Sequence, residues 1–203
     1  MTGGSVNVPL VIDGTNKLYN MKKVLFTVIF MMTGTMVIFA QKYMTRTGKV
    51  SFDASVPAAP EVKAINNEMA NILDAKTGEI VFQVPIKSFK FERALMQEHF
   101  NENYMESDKY PKSEFKGNIV NLNEINFTKD GTYTAKVTGK LMIHGVTKEI
   151  SVQGTATVAG NKVLLKAKFS VKVKDYDITI PSLVTDKLGR EATITLESDL
   201  TQK

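Results

Sequence analysis

Between Val50 and Leu196 the chain returns again and again to strict alternation of apolar and polar residues, broken by turn signals. That period of two belongs to a half-buried antiparallel sheet. Tyr133, Ala135, Val137, Gly139, Leu141 and Ile143 alternate with Thr132, Thr134, Lys136, Thr138 and Lys140. The next stretch sets Ile150, Val152, Gly154, Ala156 and Val158 against Ser151, Gln153, Thr155 and Thr157. One face is apolar and the other wet. With no second apolar layer of similar extent to cover it, such a sheet has to curl around its own apolar face, and an eight-stranded barrel is wide enough to hold one small ligand. The pattern predicts a container rather than a catalyst.

Strands are expected at 49–55, 62–73, 79–87, 115–122, 131–143, 147–158, 162–174 and 191–198, the second alternating poorly enough to suggest a bulge. Lys76-Thr77-Gly78, Lys129-Asp130-Gly131, His144-Gly145 and Ala159-Gly160-Asn161 supply turn residues between them. One segment breaks the period. Phe89, Met96, Phe100 and Tyr104 fall seven, four and four residues apart, the stripe of a helix over 89–105 that caps the barrel. The expected fold class is therefore all-β, an eight-stranded antiparallel barrel with a capping helix.

Lys22 and Lys23 precede an uncharged run from Val24 to Ala40, after which the chain turns polar at Gln41 and Lys42. Residues 21–40 read as a secretory signal peptide cleaved after Ala40, with a membrane anchor as the alternative. Residues 1–20 show no periodicity and read as an extension ahead of the true start at Met21, leaving 41–203 as the mature domain. The net charge of +5 shrinks once Lys17, Lys22, Lys23 and Asp13 are set aside, and too little remains to suggest nucleic acid without a clustered patch. Lys162, Lys166, Lys168, Lys172 and Lys174 share one strand face and read as a solvated exterior that discourages strand-to-strand aggregation. Cysteine is absent, which excludes disulfides, thiolate catalysis and lipid attachment through a lipobox. A released periplasmic or secreted protein is expected, with no membrane anchor after cleavage.

The chain has two histidines and no H-E-x-x-H, G-x-S-x-G or Gly-rich phosphate loop, so no catalytic residue, metal site or cofactor is assigned. His144 sits at a hairpin turn and reads as part of it. Glu98, Glu102, Glu106 and Asp108 recur along the helix and its exit as a solvated face.

Three stretches carry a resemblance: Lys87-Ser88-Phe89-Lys90-Phe91, then Tyr110-Pro111-Lys112-Ser113-Glu114-Phe115-Lys116-Gly117, then the hairpin from Gly139 through Ile143-His144-Gly145-Val146-Thr147 to Lys148. In that order and spacing the chain resembles the YceI-like family of exported polyisoprenoid-binding proteins over about 49–200. The resemblance implies a lipocalin-like barrel whose apolar tunnel holds a long isoprenoid or amphiphilic chain. An Arg-Asp pair frequent in the family before the helix is replaced by Glu92-Arg93-Ala94.

On this reading the tunnel is lined by Phe82, Val84, Ile86, Phe89, Met96, Phe100, Phe115, Ile119, Tyr133, Leu141, Ile143, Phe169 and Val171, all on predicted inward faces. Arg93, His99 and Tyr110 are placed at the mouth as contacts for a head group. The expected partner is an isoprenoid, an isoprenoid quinone or a fatty-acid-like ligand, and the oligomeric state stays open, a homodimer included. Two alternatives remain: a structural or adhesive β-domain whose barrel is filled by its own side chains, and a hydrolase using His99 with a nearby carboxylate.

Overall fold

A computed structural model describes residues 41–57, 59, 61–181 and 189–203. The expected signal peptide at 21–40 and the extension at 1–20 lie outside these residues.

Nine strands run β1 (Lys42–Asp53), β2 (Lys63–Asp74), β3 (Glu79–Pro85), β4 (Lys90–Phe91), β5 (Lys112–Ile119), β6 (Gly131–Ile143), β7 (Val146–Ala159), β8 (Lys162–Lys172) and β9 (Glu191–Gln202). Every pairing is antiparallel, and β1 bonds to both β2 and β9, which closes eight of the strands into a barrel. Closure leaves the long strands no free edge, the standing hazard of an open sheet. The ninth, β4, is a two-residue addition on the start of β2, pairing Ala64 with Phe91 and Ile65 with Lys90.

The irregular second strand is bulged. Its buried positions run Ala64, Asn66, then Met69, Asn71 and Leu73, so the alternation slips by one residue between Asn66 and Met69. The register with β1 shifts at the same level, around Gly48. Asn66 fills the slip with its own side chain: Oδ1 accepts the Glu68 N–H at 2.7 Å and Nδ2 donates to the Pro85 carbonyl at 2.7 Å. An unpaired strand segment is thereby satisfied inside the wall.

Helix α1 (Ala94–His99) continues into a wider π-helical turn over Phe100–Tyr104, closed by the Met105 N–H on the Phe100 carbonyl. The predicted helix over 89–105 therefore begins five residues late. Phe89 is extended, ending a short 3₁₀ turn over Ile86–Ser88. An unbroken α-helix would rotate Tyr104 about 80° away from Met96 over eight residues. The wider turn offsets that rotation, and Met96, Phe100 and Tyr104 all face the barrel interior. The lysine stripe from Lys162 to Lys174 is exposed, with Lys166 3.4 Å from Glu197 on the neighbouring strand.

Candidate functional site: a cavity in one half of the barrel

The barrel interior divides across a layer formed by Met69, Ala156 and Ser198. Below it, towards the start of β1 and the end of β9, the chain fills its own interior: Tyr43, Leu73, Val158, Val163 and Leu200 are each at most 2% exposed. Ile125 and Phe127, from the loop before β6, plug that end, and the Tyr43 ring lies 6.0 Å from that of Phe127. In the layer itself the Asn71 amide donates to the Ser198 hydroxyl at 3.0 Å, which gives the floor a polar centre.

Above the layer the strands enclose a cavity of about 490 Å³. Its wall is built from the inward positions of all eight barrel strands, among them Val50, Phe82, Val84, Phe115, Ile119, Leu141, Ile143, Val152, Leu165, Phe169, Val171, Ile194 and Leu196. Small residues make room for the Phe115 ring. Gly117 and Gly139 face each other across β5 and β6, and a Cβ on either would lie within 3 Å of the Phe115 ring that lies over them.

The end near α1 is covered rather than plugged. Phe52, Phe89, Phe91 and Phe100 form an aromatic cluster with ring centroids 5.0–5.6 Å apart, Phe52 and Phe100 stacked and the rest mostly edge-on. Such offset and edge contacts hold an apolar ceiling together without polar groups. Leu95, Met96, His99, Tyr104 and Met105 line the cavity from the helix and its exit, and Tyr176, Ile178 and Ile180 line it from the segment after β8.

Of the residues expected to line the tunnel, Phe82, Val84, Ile86, Phe89, Met96, Phe100, Phe115, Ile119, Leu141, Ile143, Phe169 and Val171 border the cavity, as do Arg93 and His99. Tyr133 and Tyr110 do not. Tyr133 lies below the floor near the start of β6, where its hydroxyl donates to the Lys129 carbonyl at 3.0 Å. Tyr110 packs edge-on against His144 at 4.6 Å between centroids, outside the lining. Alternation places Tyr133 on the correct face but carries no information about height along the barrel. The aromatic ceiling residues Phe52 and Phe91, and the cover residues Tyr176 and Ile178, escaped the sequence reading because they belong to strand ends and a 3₁₀ turn, where no period runs long enough to register.

Among the described residues the charged side chains that border the cavity are Arg93, Glu114 and Lys166, the last 3.4 Å from Glu197. The Glu114 carboxylate accepts from Gln83 and from Lys112, both at 3.1 Å, and these partners hold it below the usual carboxylate range. Burial pushes the Tyr176 phenol up, so it stays neutral. Among the described residues, no hydrogen bond joins His99 to a carboxylate, and no three His, Asp or Glu side chains converge on a metal-sized site. The arrangement can take up apolar surface.

The second histidine has a larger role than its turn. His144 ends the β6–β7 hairpin with φ 51°, and its ring bridges two distant segments. Nε2 lies 2.8 Å from Glu106 Oε2 at the helix exit, and Nδ1 lies 3.2 Å from the Tyr176 carbonyl. Gly145, with φ 76°, leaves space for the Tyr110 ring, which a Cβ would meet at 2.5 Å.

The chain matches the family described as "YceI-like domain" over residues 21–200. No match is found among curated proteins. Among solved structures it is similar to a polyisoprenoid binding domain from Saccharophagus degradans implicated in plant cell wall breakdown, at 11% identity and a TM-score of 0.71, covering 81% of this chain and 99% of that one. It is also similar to BcnA of Burkholderia cenocepacia, at 17% identity and 0.62 over 76% and 96% of the two chains. A YceI protein of Campylobacter jejuni matches at 16% and 0.55, over 73% and 89%. At these identities the likeness carries the fold, a closed antiparallel barrel with one short helix. Together with the match over residues 21–200, the fold makes this protein a member of the YceI-like domain family.

Proposed function

We propose that the cavity holds a long apolar chain, an isoprenoid, isoprenoid quinone or fatty-acid-like lipid, and that the protein works by burial rather than bond-making. The observation that carries this reading is the hollow upper half: about 490 Å³ walled mainly by aliphatic and aromatic side chains, with Arg93 and His99 bordering it at the helix end. Each Å² of apolar surface moved from water into such a space stabilises the complex by about 25 cal/mol, so a flexible chain is held without many polar contacts. The floor at Met69 stops the tail and leaves the head group at the α1 end, within reach of Arg93 and His99. The Saccharophagus domain, a polyisoprenoid binder by description, shares the fold and supports the ligand class. A hydrolase finds less support, since among the described residues no hydrogen bond joins His99 to a carboxylate and both nitrogens of His144 are engaged in holding structure.

The test is mass spectrometry of an organic extract of the purified protein. A long-chain lipid in near-equal amount to protein is expected. An extract free of lipid, from protein that also fails to take up an added polyprenol, overturns the reading.

We further propose that the protein is exported, supported by the lysine pair and apolar run within 21–40. N-terminal sequencing of the extracytoplasmic form is expected to begin at Gln41. Membrane-bound protein that retains 24–40 would show an anchor instead.

A further inference from the structure

Two segments cover the cavity at its α1 end, and one side chain joins them. The first is the helix exit, where Tyr104 and Met105 line the cavity and the chain then turns through Glu106 to Tyr110. The second is the 3₁₀ turn Val173–Tyr176 with Asp177 and Ile178 behind it. Neither is a barrel strand. The three non-glycine residues with positive φ among the described residues are Glu106 at 41°, His144 at 51° and Asp177 at 56°. They mark the two covers and the rim between them. Left-handed backbone costs a non-glycine residue free energy and persists where surrounding contacts over-determine it.

The contact that does so is the His144 ring. Its Nε2 faces a Glu106 carboxylate oxygen and its Nδ1 faces the Tyr176 carbonyl oxygen. Both partners present acceptor oxygens, a carboxylate on one side and a backbone carbonyl on the other, so the ring is approached through both of its nitrogens at once. The charged groups around it are three acids and one base: Glu106 and Lys109 from the helix exit, with Lys109 lying 4.8 Å over the Tyr110 ring, and Asp175 and Asp177 flanking Tyr176. The His144 side chain is only 10% exposed, which shelters its bond to the Tyr176 carbonyl more than the one to Glu106, whose carboxylate is 46% exposed.

We propose that His144 is a positioning residue that clasps both cover segments to the β6–β7 rim and so sets how fast a ligand enters and leaves the cavity. Opening requires the helix exit and the 173–178 turn to separate from the hairpin, and the two bonds to His144 hold that step back together. The inference rests on the apolar-ligand reading for its consequence, though the clasp itself does not depend on it.

The test compares His144→Ala and Glu106→Gln with the parent in two measurements. Hydrogen exchange needs no ligand. In His144→Ala the bonded amides of Met105, Ser107 and Tyr110, and those of Asp177 and Ile178, are expected to exchange about tenfold faster together while the barrel strands stay protected. Stopped-flow fluorescence with cis-parinaric acid reads the gate. Uptake and release are expected to accelerate in step, each by roughly tenfold, with the dissociation constant moving less than about threefold. A pocket merely damaged by the substitution would release faster without taking up faster. Glu106→Gln, at an exposed carboxylate, is expected to move both rates in the same direction by less, and to add nothing to His144→Ala. Unchanged exchange in both segments of folded variants, or faster release alone, overturns the proposal. A parent that takes up neither cis-parinaric acid nor an added polyprenol refutes the apolar-ligand reading, and the exchange data still decide the clasp.

Discussion

The two halves of this barrel are made by the same strands and differ in purpose. β9 contributes Ala192, Ile194 and Leu196 to the hollow half and Ser198 and Leu200 to the filled one, in one unbroken alternation. What separates them is the closure of each end. The lower end is plugged by the buried side chains of Phe127, Ile125 and Tyr43, while the upper end is spanned by a helix and an aromatic ceiling above the cavity. The filled half therefore carries the stability, and the hollow half forgoes packing to leave room for a ligand.

Substitutions should respond accordingly, with the largest stability effect in the filled half. Leu200→Ala removes a side chain with 0% exposure and is expected to cost about 3–5 kcal/mol in chemical denaturation, from lost transfer and the cavity left behind. Ligand affinity, corrected for the folded fraction, should stay near the parent value.

Met96→Asp should show the reverse. It places a carboxylate against the cavity without a partner, and at least about a tenfold loss of bound lipid is expected, with under about 1 kcal/mol change in unfolding free energy. Phe100 is a poorer site for this test, because it stacks on Phe52 and touches Phe89 and Phe91, so its replacement also dismantles the ceiling. Destabilisation by Met96→Asp as large as that of Leu200→Ala would erase the distinction between the halves.

Gly48→Ala probes the border. Its Cβ would lie 2.6 Å from Met69 Cε, so the methionine must shift, and we expect a cost of about 1–2 kcal/mol together with weaker lipid retention as Met69 is driven up into the cavity.

The smallest effect is expected from Tyr43→Phe. The lost hydrogen bond to the Phe127 carbonyl is long, 3.5 Å, and removing it should change stability at neutral pH by less than about 1 kcal/mol. Burial raises the Tyr43 phenol above its ordinary 10.0, so as pH climbs past that value the unfolded chain loses a proton that the folded one keeps, and stability falls. Tyr43→Phe should flatten that alkaline decline, which denaturant titrations around pH 10 and above would measure.

The sequence makes the wall readable and the hollow unreadable. Alternation over β6 and β7 names the inward residues because one face is dry along the whole strand, wherever the side chain ends up along the axis. For the same reason it cannot tell Leu141, beside the cavity, from Tyr133, beneath its floor. β2 resisted because the slip between Asn66 and Met69 exchanges the two faces, and only the Asn66 side-chain bonds reveal why that is tolerated. The helix stripe predicted Met96, Phe100 and Tyr104 correctly and misplaced the helix start, since Phe89 fits the spacing by chance from an extended segment. His144 was legible as a turn residue. Its partners Glu106 and Tyr176 lie 38 and 32 positions away, a separation that no local pattern reports.

If one half of this continuous barrel receives a ligand and the other does not, methyl-resolved NMR during titration with geranylgeraniol shows it most directly. Shifts are expected at Ile80, Ile86, Ile119, Leu141, Ile143 and Val171, with the methyls of Leu73, Val158, Val163 and Leu200 unmoved. Shifts spread evenly over both sets, or confined to the exposed Ile65 and Ile72 on the outer face, would contradict it.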